Sequence, residues 1–142
     1  MSDMKTVETD ASVEDFLAAC PHRGRAEDAA AVTAMMVRVT GAPPRMWGPS
    51  IIGFGAYEYA RRDGSRHRYF LTGVSPRKAN LVVYVMDGFT NHTDRLARLG
   101  PHRRSVSCLY LGRLAKIDAA ALEEIVAASV ATMRARHPEP QG

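Results

Sequence analysis

The apolar residues of this chain change their spacing twice, and this change limits the fold more than any other feature. Near both ends they recur every three or four positions, as on one face of an α-helix. Between them lie short runs rich in aromatic and β-branched residues, at 51–54, 56–61, 67–74 and 81–86. Strands grouped in the middle of a chain, with helices at its ends, indicate an α+β domain rather than alternating α/β units.

The helix boundaries are marked by capping residues. Ser12 can cap a first helix that ends at Pro21, and Gly41 suits the end of a second helix over 25–40. A short helix is predicted over 93–99. Asp118 is the predicted N-cap of the last helix, whose apolar stripe includes Leu122 and Ile125.

The connections between the extended runs favour antiparallel pairing. Asp63-Gly64 is a hairpin signal between 56–61 and 67–74, and residues 75–78 form a second tight connection. A further strand is predicted over 107–111, so the order is α-α-β-β-β-β-α-β-α. We expect an α+β fold of two layers, in which a mostly antiparallel, twisted sheet of about five strands is covered on one face by the N- and C-terminal helices.

A length of 142 residues suits one domain with one core. We expect a disordered leader over 1–11, a single domain over 12–136 and a flexible tail over 137–142. The first nineteen residues lack the apolar core of a signal peptide, and no apolar run approaches the roughly eighteen residues of a membrane-spanning helix. Two cysteines, 88 positions apart, favour a reducing compartment. The expected location is the cytoplasm, with no membrane partner.

Positive charge is concentrated in the middle of the chain. Residues 61–104 carry ten Arg or Lys and three Asp, whereas residues 1–20 carry one Lys and five acids. The basic region could attract an anionic partner, and Tyr57, Tyr59 and Tyr69 could stack on bases. No RNP, KH or helix-turn-helix signature accompanies them. Nucleic-acid binding is therefore a lesser alternative to a solvated, arginine-rich surface.

Most common catalytic and cofactor motifs are missing. Gly53-Phe54-Gly55 is not a dinucleotide loop, because position 58 is Glu58 and an extended run follows it. Ser50 and Ser75 do not lie in a GxSxG turn. The pattern around Cys108 predicts a buried, small apolar residue of a strand rather than a nucleophile. The histidines show no HxxxH or HxH spacing. We therefore expect no cofactor and identify no catalytic residue, which is more typical of a binding domain than of an enzyme.

Two segments carry a family resemblance. The stretch MWGPSIIGFGAYEY, followed by Val74-Ser75-Pro76-Arg77-Lys78-Ala79-Asn80-Leu81, closely resembles the YdhG-like family of bacterial domains of unknown function. The ending is similar too, with Leu99-Gly100, then SCLYL over 107–111, then Ile117-Asp118. The match covers about residues 12–130. It implies a compact α+β domain with the WGPS and SPRK segments as its hallmark elements, and it implies no reaction.

Some members of that family are labelled iron chaperones by analogy with frataxin. Iron handling of this kind needs an acidic face, whereas this chain is basic over 61–104. Arg66-His67-Arg68 also stands where the family often has an acidic residue. These residues oppose the iron-handling label. A metal-handling role is kept as the alternative function because the resemblance implies it.

The two hallmark segments predict a binding site if they fold together. Prolines stiffen the first segment, and glycines beside aromatic residues are typical of a preformed pocket, although a bulged strand entry uses the same residues. Arg77 and Lys78 would face the aromatic wall and bind a carboxylate or phosphate attached to an apolar body. The alternative is that Trp47 only fills the core and Arg77 caps carbonyls. The ligand-binding candidates are Trp47, Gly48, Ser50, Phe54, Tyr57, Ser75, Arg77, Lys78 and Asn80.

The predicted function is thus non-enzymatic binding of a small anionic or amphipathic ligand, or of a protein partner, near Trp47 and Arg77. A homodimer is an open alternative, because one face of the predicted sheet could lie uncovered.

Overall fold

The computed structural model describes residues 7–137. It contains a mostly antiparallel sheet and four α-helices, which confirms the predicted α+β class. The helices are α1 (Val13–Ala19), α2 (Arg23–Thr40), α3 (Thr93–Leu99) and α4 (Ala119–Arg136). The strands are β1 (Glu8–Thr9), β2 (Arg45–Trp47), β3 (Ile51–Phe54), β4 (Tyr57–Ala60), β5 (Arg66–Tyr69), β6 (Thr72–Pro76), β7 (Leu81–Val85), β8 (Arg103–Arg104) and β9 (Cys108–Leu111).

Seven strands form the main sheet, in the order β1-β2-β3-β6-β7-β9-β8, and every neighbouring pair is antiparallel. Strands β4 and β5 pair only with each other and form a separate hairpin. The strand count is slightly higher than the five expected from sequence, because β1, β2 and β8 are strands of only two or three residues. Strands this short leave little periodicity in a sequence.

The helices cover one face of the main sheet, as expected. Alternate residues of the central strands, such as Ile52, Val74 and Val83, pack against the apolar stripes of α2 and α4. We call this side the helix-side core. It includes Phe54, with Phe16 and Phe89 packed against its edge.

The opposite face of the sheet has a smaller core of its own. Trp47, Ile51, Phe70, Val82 and Tyr84 are buried there together, and we call them the second-face cluster. The sequence had suggested that this face could lie uncovered. Phe70 covers it, because its ring lies against Trp47 and Tyr84, with ring centroids 5.5 Å and 5.2 Å away.

The predicted run 67–74 is interrupted at Phe70 and Leu71, so it forms β5 and β6 rather than one strand. The Leu71 N–H donates to the Phe54 carbonyl, 3.0 Å away, which holds the chain where the hairpin leaves the sheet. The predicted hairpin turn is confirmed: Gly64 has φ 89°, and the Asp63 carboxylate accepts from the Ser65 N–H at 2.9 Å. These two bonds fix the base and the turn of the hairpin, whose strands are paired from Tyr57–Tyr69 to Ala60–Arg66.

The chain ends differ from the expected disordered segments where the structure describes them. Within the predicted leader, Glu8 and Thr9 form β1 and pair with Trp47 and Met46. Residues 1–6 and 138–142 lie outside the described residues. At the other end, the His137 ring packs on Tyr57, with centroids 4.6 Å apart. No helix within residues 7–137 is long and apolar enough to cross a membrane.

Replacing Asp118 with alanine is expected to lower the free energy of unfolding by about 1 kcal/mol. The Asp118 carboxylate accepts from the Ala121 N–H at 3.1 Å and so caps α4, which buries seven residues in the core. Urea unfolding followed by circular dichroism measures the change. Ser12→Ala is the matched control, because Ser12 caps α1 in the same way but α1 has no buried residue. Equal losses for the two variants would contradict the prediction.

Candidate functional site

The WGPS segment lies at the edge of the sheet, where β2 turns into β3. Trp47 is only 2% exposed and packs edge-on against Tyr69 and Phe70. The guanidinium of Arg68 lies 5.5 Å from the centre of the indole ring, which is cation–π distance. Gly48 has φ 63°, and its N–H donates to the Val7 carbonyl at 2.9 Å. Trp47 therefore fills the second-face cluster, and its outer edge is covered by an arginine.

The serines of the two hallmark segments hold these segments together. The Ser75 hydroxyl is buried and donates to the Ser50 carbonyl at 2.7 Å. Ser50 and Ser75 therefore lie side by side, which meets at these two residues the condition that the hallmark segments fold together. Their bond is internal, so it explains why the segments meet without supplying a group for a ligand.

Arg77 lies on the same sheet face as Trp47 but makes a different contact from the one predicted. Its Nη2 donates to the Tyr84 hydroxyl at 2.7 Å, and its Nε lies 3.5 Å from the Ser75 hydroxyl. Its backbone N–H donates to the Asn80 carbonyl at 2.9 Å, which closes the turn. Burial raises the pKa of Tyr84, and the nearby Arg77 charge partly opposes that rise. The Arg77 side chain thus donates to a tyrosine hydroxyl. It does not cap backbone carbonyls of the described residues, which was the alternative considered from the sequence.

The remaining candidates are dispersed. Phe54 is wholly buried in the helix-side core, on the face away from Trp47. Lys78 lines a small cleft beside the start of α2, and that cleft does not include Trp47. Tyr57 is half-buried at the base of the hairpin. The structure therefore brings Trp47, Ser50, Ser75 and Arg77 to one face of the sheet and places Phe54 and Lys78 elsewhere.

A larger cleft lies between the hairpin and strands β1 and β2. It consists of two adjoining hollows of about 520 and 530 Å³ that share Glu8, Arg45, Arg66 and Arg68. Tyr57 and His137 line one hollow, and Trp47 lines the other. We call the whole the hairpin cleft. Each hollow is within the usual range of volume for sites that bind small molecules.

Ion pairs orient the arginines of the hairpin cleft. Glu8 pairs with Arg45 at 2.8 Å and with Arg68 at 2.5 Å, so one carboxylate joins the sheet edge to the hairpin. Arg66 pairs with Glu58 along the hairpin at 3.1 Å. The arginine side chains are 43%, 69% and 54% exposed at Arg45, Arg66 and Arg68. Exposed ion pairs contribute little to stability, so these guanidinium groups can exchange a glutamate for a ligand anion at small cost.

Tyr57 lines one hollow of the hairpin cleft, from the hairpin face opposite Arg66 and Arg68. Burial raises the pKa of its hydroxyl, and the neighbouring Tyr59 raises it further. The hydroxyl is therefore protonated at neutral pH and can donate to an oxyanion. Its ring lies 5.8 Å from that of Tyr59 and 4.6 Å from that of His137.

Sequence reasoning found Trp47 and Tyr57 but missed most of the charged lining. Arg66 and Arg68 were recognised only as part of a basic loop. Arg66 and Arg68 are two positions apart in β5, so both lie on one face of the hairpin, and Tyr57 and Tyr69 lie on the other face. This spacing could have predicted that the two arginines act together. Glu8 and Arg45 carried no such signal, because their place depends on the pairing of β1 with β2.

Raising the pH above about 10 is expected to destabilise the protein through Tyr69. Burial in the second-face cluster raises the pKa of Tyr69 to about 12, with smaller contributions from Tyr84, Cys108 and the hairpin tyrosines. Between pH 10 and 12 the unfolded chain therefore loses this proton before the folded protein does, and the free energy of unfolding falls. The shift corresponds to at most about 2.7 kcal/mol, and solvent screening of the half-exposed side chain reduces this to about 1 kcal/mol.

Urea unfolding at pH 9 and at pH 11.5 measures this loss, with Tyr69→Phe as the comparison. The phenylalanine variant should lose about 1 kcal/mol less than the unmodified protein over the same interval. An identical pH dependence of the two proteins would contradict the assignment to Tyr69.

The described residues offer little for a metal ion. Among residues 7–137, no group of three or more His, Cys, Asp or Glu side chains is close enough to hold one. Comparisons with protein-family models, curated proteins and solved structures found no match to this chain. The resemblance to the YdhG-like family therefore stays a prediction from the two hallmark segments.

Proposed function

We propose that this protein binds, without transforming it, a small molecule that carries a carboxylate or phosphate on an aromatic or apolar body, and that the hairpin cleft is the site. One observation carries the proposal: three arginines from two separate elements converge on a cleft of small-molecule size that also has aromatic walls. The proposed site is the cleft that Trp47 lines, near which the sequence analysis expected a ligand, but Arg45, Arg66 and Arg68 take the role that it expected of Arg77.

The chemistry of the lining supports recognition of an oxyanion. Guanidinium groups bind carboxylate and phosphate oxygens through two parallel hydrogen bonds, and Arg66 and Arg68 project from the same face of β5. Tyr57 lines one of the two hollows and offers an aromatic ring there.

The lining also favours binding over catalysis. Its titratable groups are arginines and glutamates paired with one another, a tyrosine held in its protonated form, and two histidines, of which His67 bonds Ser65 and His137 packs on Tyr57. Covalent catalysis needs an activated nucleophile, and none of the described lining residues is a serine, threonine, cysteine or lysine. This set of residues is better suited to holding an anion in place.

Isothermal titration calorimetry with phenyl phosphate and with benzoate tests the proposal. We expect saturable binding to the unmodified protein and about tenfold weaker binding after Arg66→Gln or Arg68→Gln, because each removes one charge-assisted contact. Arg38→Gln is the matched control, since Arg38 also forms an exposed ion pair, with Glu123 on the helical side. No binding at millimolar ligand, or equal weakening in all three variants, would rule out the hairpin cleft.

A second candidate is binding of single-stranded nucleic acid to the hairpin, which one observation favours. Tyr57, Tyr59, His67 and Tyr69 share one face of the hairpin, and the arginines lie on the other face and in the turn. Aromatic platforms flanked by cations are typical of sequence-tolerant binding to single strands. Retention of a short oligothymidine that falls steeply with salt and is lost in Tyr59→Ala would support this candidate. Retention unchanged in that variant would exclude it.

A further inference from the structure

A second and more strongly basic cleft lies at the start of α2, on residues that the hairpin cleft does not use. We call it the basic cleft, and its volume is about 390 Å³. Four cations line it, from the start of α2, the β6–β7 turn and the segment after β9, together with one histidine, one glycine and one proline. These residues are Pro21, His22, Arg23, Gly24, Arg25, Lys78 and Arg113. None of these described lining residues is acidic.

Two of the arginines are anchored by backbone carbonyls. Arg23 Nη2 donates to the carbonyls of Leu17 and Cys20, at 3.0 and 2.9 Å, where α1 ends. Arg25 Nη1 donates to the Gly112 carbonyl at 3.1 Å, and its Nε is buried with no hydrogen-bond partner in the described part of the chain. Carbonyls fix these side chains but do not neutralise them, so both keep their full charge at the cleft.

Arg113 is held by Asp28. Its Nε donates to the Asp28 carboxylate at 2.8 Å, and the Leu114 N–H donates to the same carboxylate at 3.0 Å. Nη1, which does not bond Asp28, lies against the first turn of α2, where a Cβ atom at Gly24 would be only 2.5 Å from it. Because position 24 is a glycine, the Arg113 guanidinium can lie close to the start of α2, where both residues line the cleft.

Lys78 is the least constrained of the four cations. It lies exposed in the turn between β6 and β7, in the SPRK segment that the sequence singled out. Its ammonium makes no ion pair or side-chain hydrogen bond with another residue that the structure describes. It can therefore move onto an anion without breaking a contact of the fold.

This arrangement opposes the usual electrostatics of a helix start. A helix N-terminus carries partial positive charge and is normally followed by acidic residues, yet α2 has none in its first turn and instead has Arg23 and Arg25. The His22 side chain does not cap the helix either. Four cations around one small cleft repel each other and the helix start. A bound anion would relieve both effects.

We propose that the basic cleft binds a phosphate group, either as the free ion or as the terminal group of a small phosphomonoester. A dianion with three accepting oxygens suits two or more guanidinium forks and a mobile ammonium. Pro21 is the only apolar side chain among the described lining residues. The cleft can therefore bind the charged phosphate group of a ligand but offers little contact to an apolar part. This site is independent of the hairpin cleft, because the two share no residue.

Backbone amide chemical shifts test the proposal on the full chain. Titration with inorganic phosphate at constant ionic strength, set with sodium chloride, should shift the amides of Arg23, Gly24 and Arg25 along a saturable curve. Glycerol 3-phosphate is the second arm. If it shifts the same amides with similar affinity, the ligand is a phosphomonoester, and if it is excluded while phosphate binds, the ligand is the free ion.

Lys78→Gln should weaken phosphate binding about tenfold, because it removes the one cation that has no structural partner among the described residues. Lys116→Gln is the matched control: it removes the same charge from a nearby exposed site outside the lining. Equal weakening of phosphate binding in both variants would show that the loss of any positive charge has this effect. That result would overturn the proposal. Absence of saturable shifts at Arg23–Arg25 would overturn it too. Arg68→Gln should leave this titration unchanged, whatever it does at the hairpin cleft.

Discussion

Replacing Phe70 with alanine is expected to lower the free energy of unfolding by about 3–5 kcal/mol, as for other wholly buried phenylalanines. The Phe70 side chain is fully buried and lies among Trp47, Tyr69 and Tyr84, with the centroid of its ring 4.1 Å from that of Tyr69. Among residues 7–137 no helix contributes a side chain to the second-face cluster, so the cavity could close only by movement of the hairpin. Urea unfolding followed by circular dichroism measures the loss.

Two further variants make this result interpretable. Phe16→Ala, at a half-buried position on α1, should cost clearly less, since α1 buries no residue completely. Phe70→Leu keeps most of the volume and should fold even if the alanine variant does not, at a cost of about 1.5 kcal/mol. If Phe70→Ala costs no more than Phe16→Ala, the second-face cluster is not a true core.

Replacing Gly53 with valine is expected to destabilise the protein by about 3 kcal/mol, at the upper end of overpacking effects. A Cβ atom at position 53 would lie 2.5 Å from Trp47 Cδ1 and 3.0 Å from Phe70 Cβ, inside the second-face cluster. Strand propensity alone predicts the opposite sign, because valine is favoured over glycine in a strand. The measured sign therefore separates local preference from packing.

Gly112→Val is the matched control for this substitution. A Cβ atom at position 112 meets nothing within 4 Å, so the change should fall within about 0.5 kcal/mol of zero. A stabilising effect of Gly53→Val, measured by the same urea unfolding, would mean that Trp47 and Phe70 do not hold the positions described above.

Local signals account for the parts of the fold that could be predicted. Asp118 and Ser12 cap their helices through single hydrogen bonds within three residues, and the Asp63-Gly64 turn is likewise local. The division of 67–74 at Phe70 is not local. It depends on the packing of Phe70 against Trp47 and over the glycines of β3 and β6, which only the assembled sheet provides.

The same distinction explains the candidate sites. Trp47 and Tyr57 were identified because they stand out in their own segment. The arginines that accompany them come from β2 and β5, and Glu8, which joins Arg45 to Arg68, is 37 and 60 positions away from its two partners. Lys78 was identified, but its neighbours at the start of α2 could not be, because no sequence pattern connects a β-turn to a helix start so distant in the chain.

The placement of the aromatic residues gives the two layers separate optical signals. The single tryptophan and all five tyrosines lie in the second-face cluster, beside it on β9, or on the hairpin that adjoins it, whereas Phe16, Phe54 and Phe89 belong to the helix-side core. Near-ultraviolet ellipticity and indole emission therefore report on one layer, and far-ultraviolet ellipticity is dominated by the helices of the other. Coincident denaturation curves from these probes would show that the small aromatic layer and the large helical layer unfold as one cooperative unit.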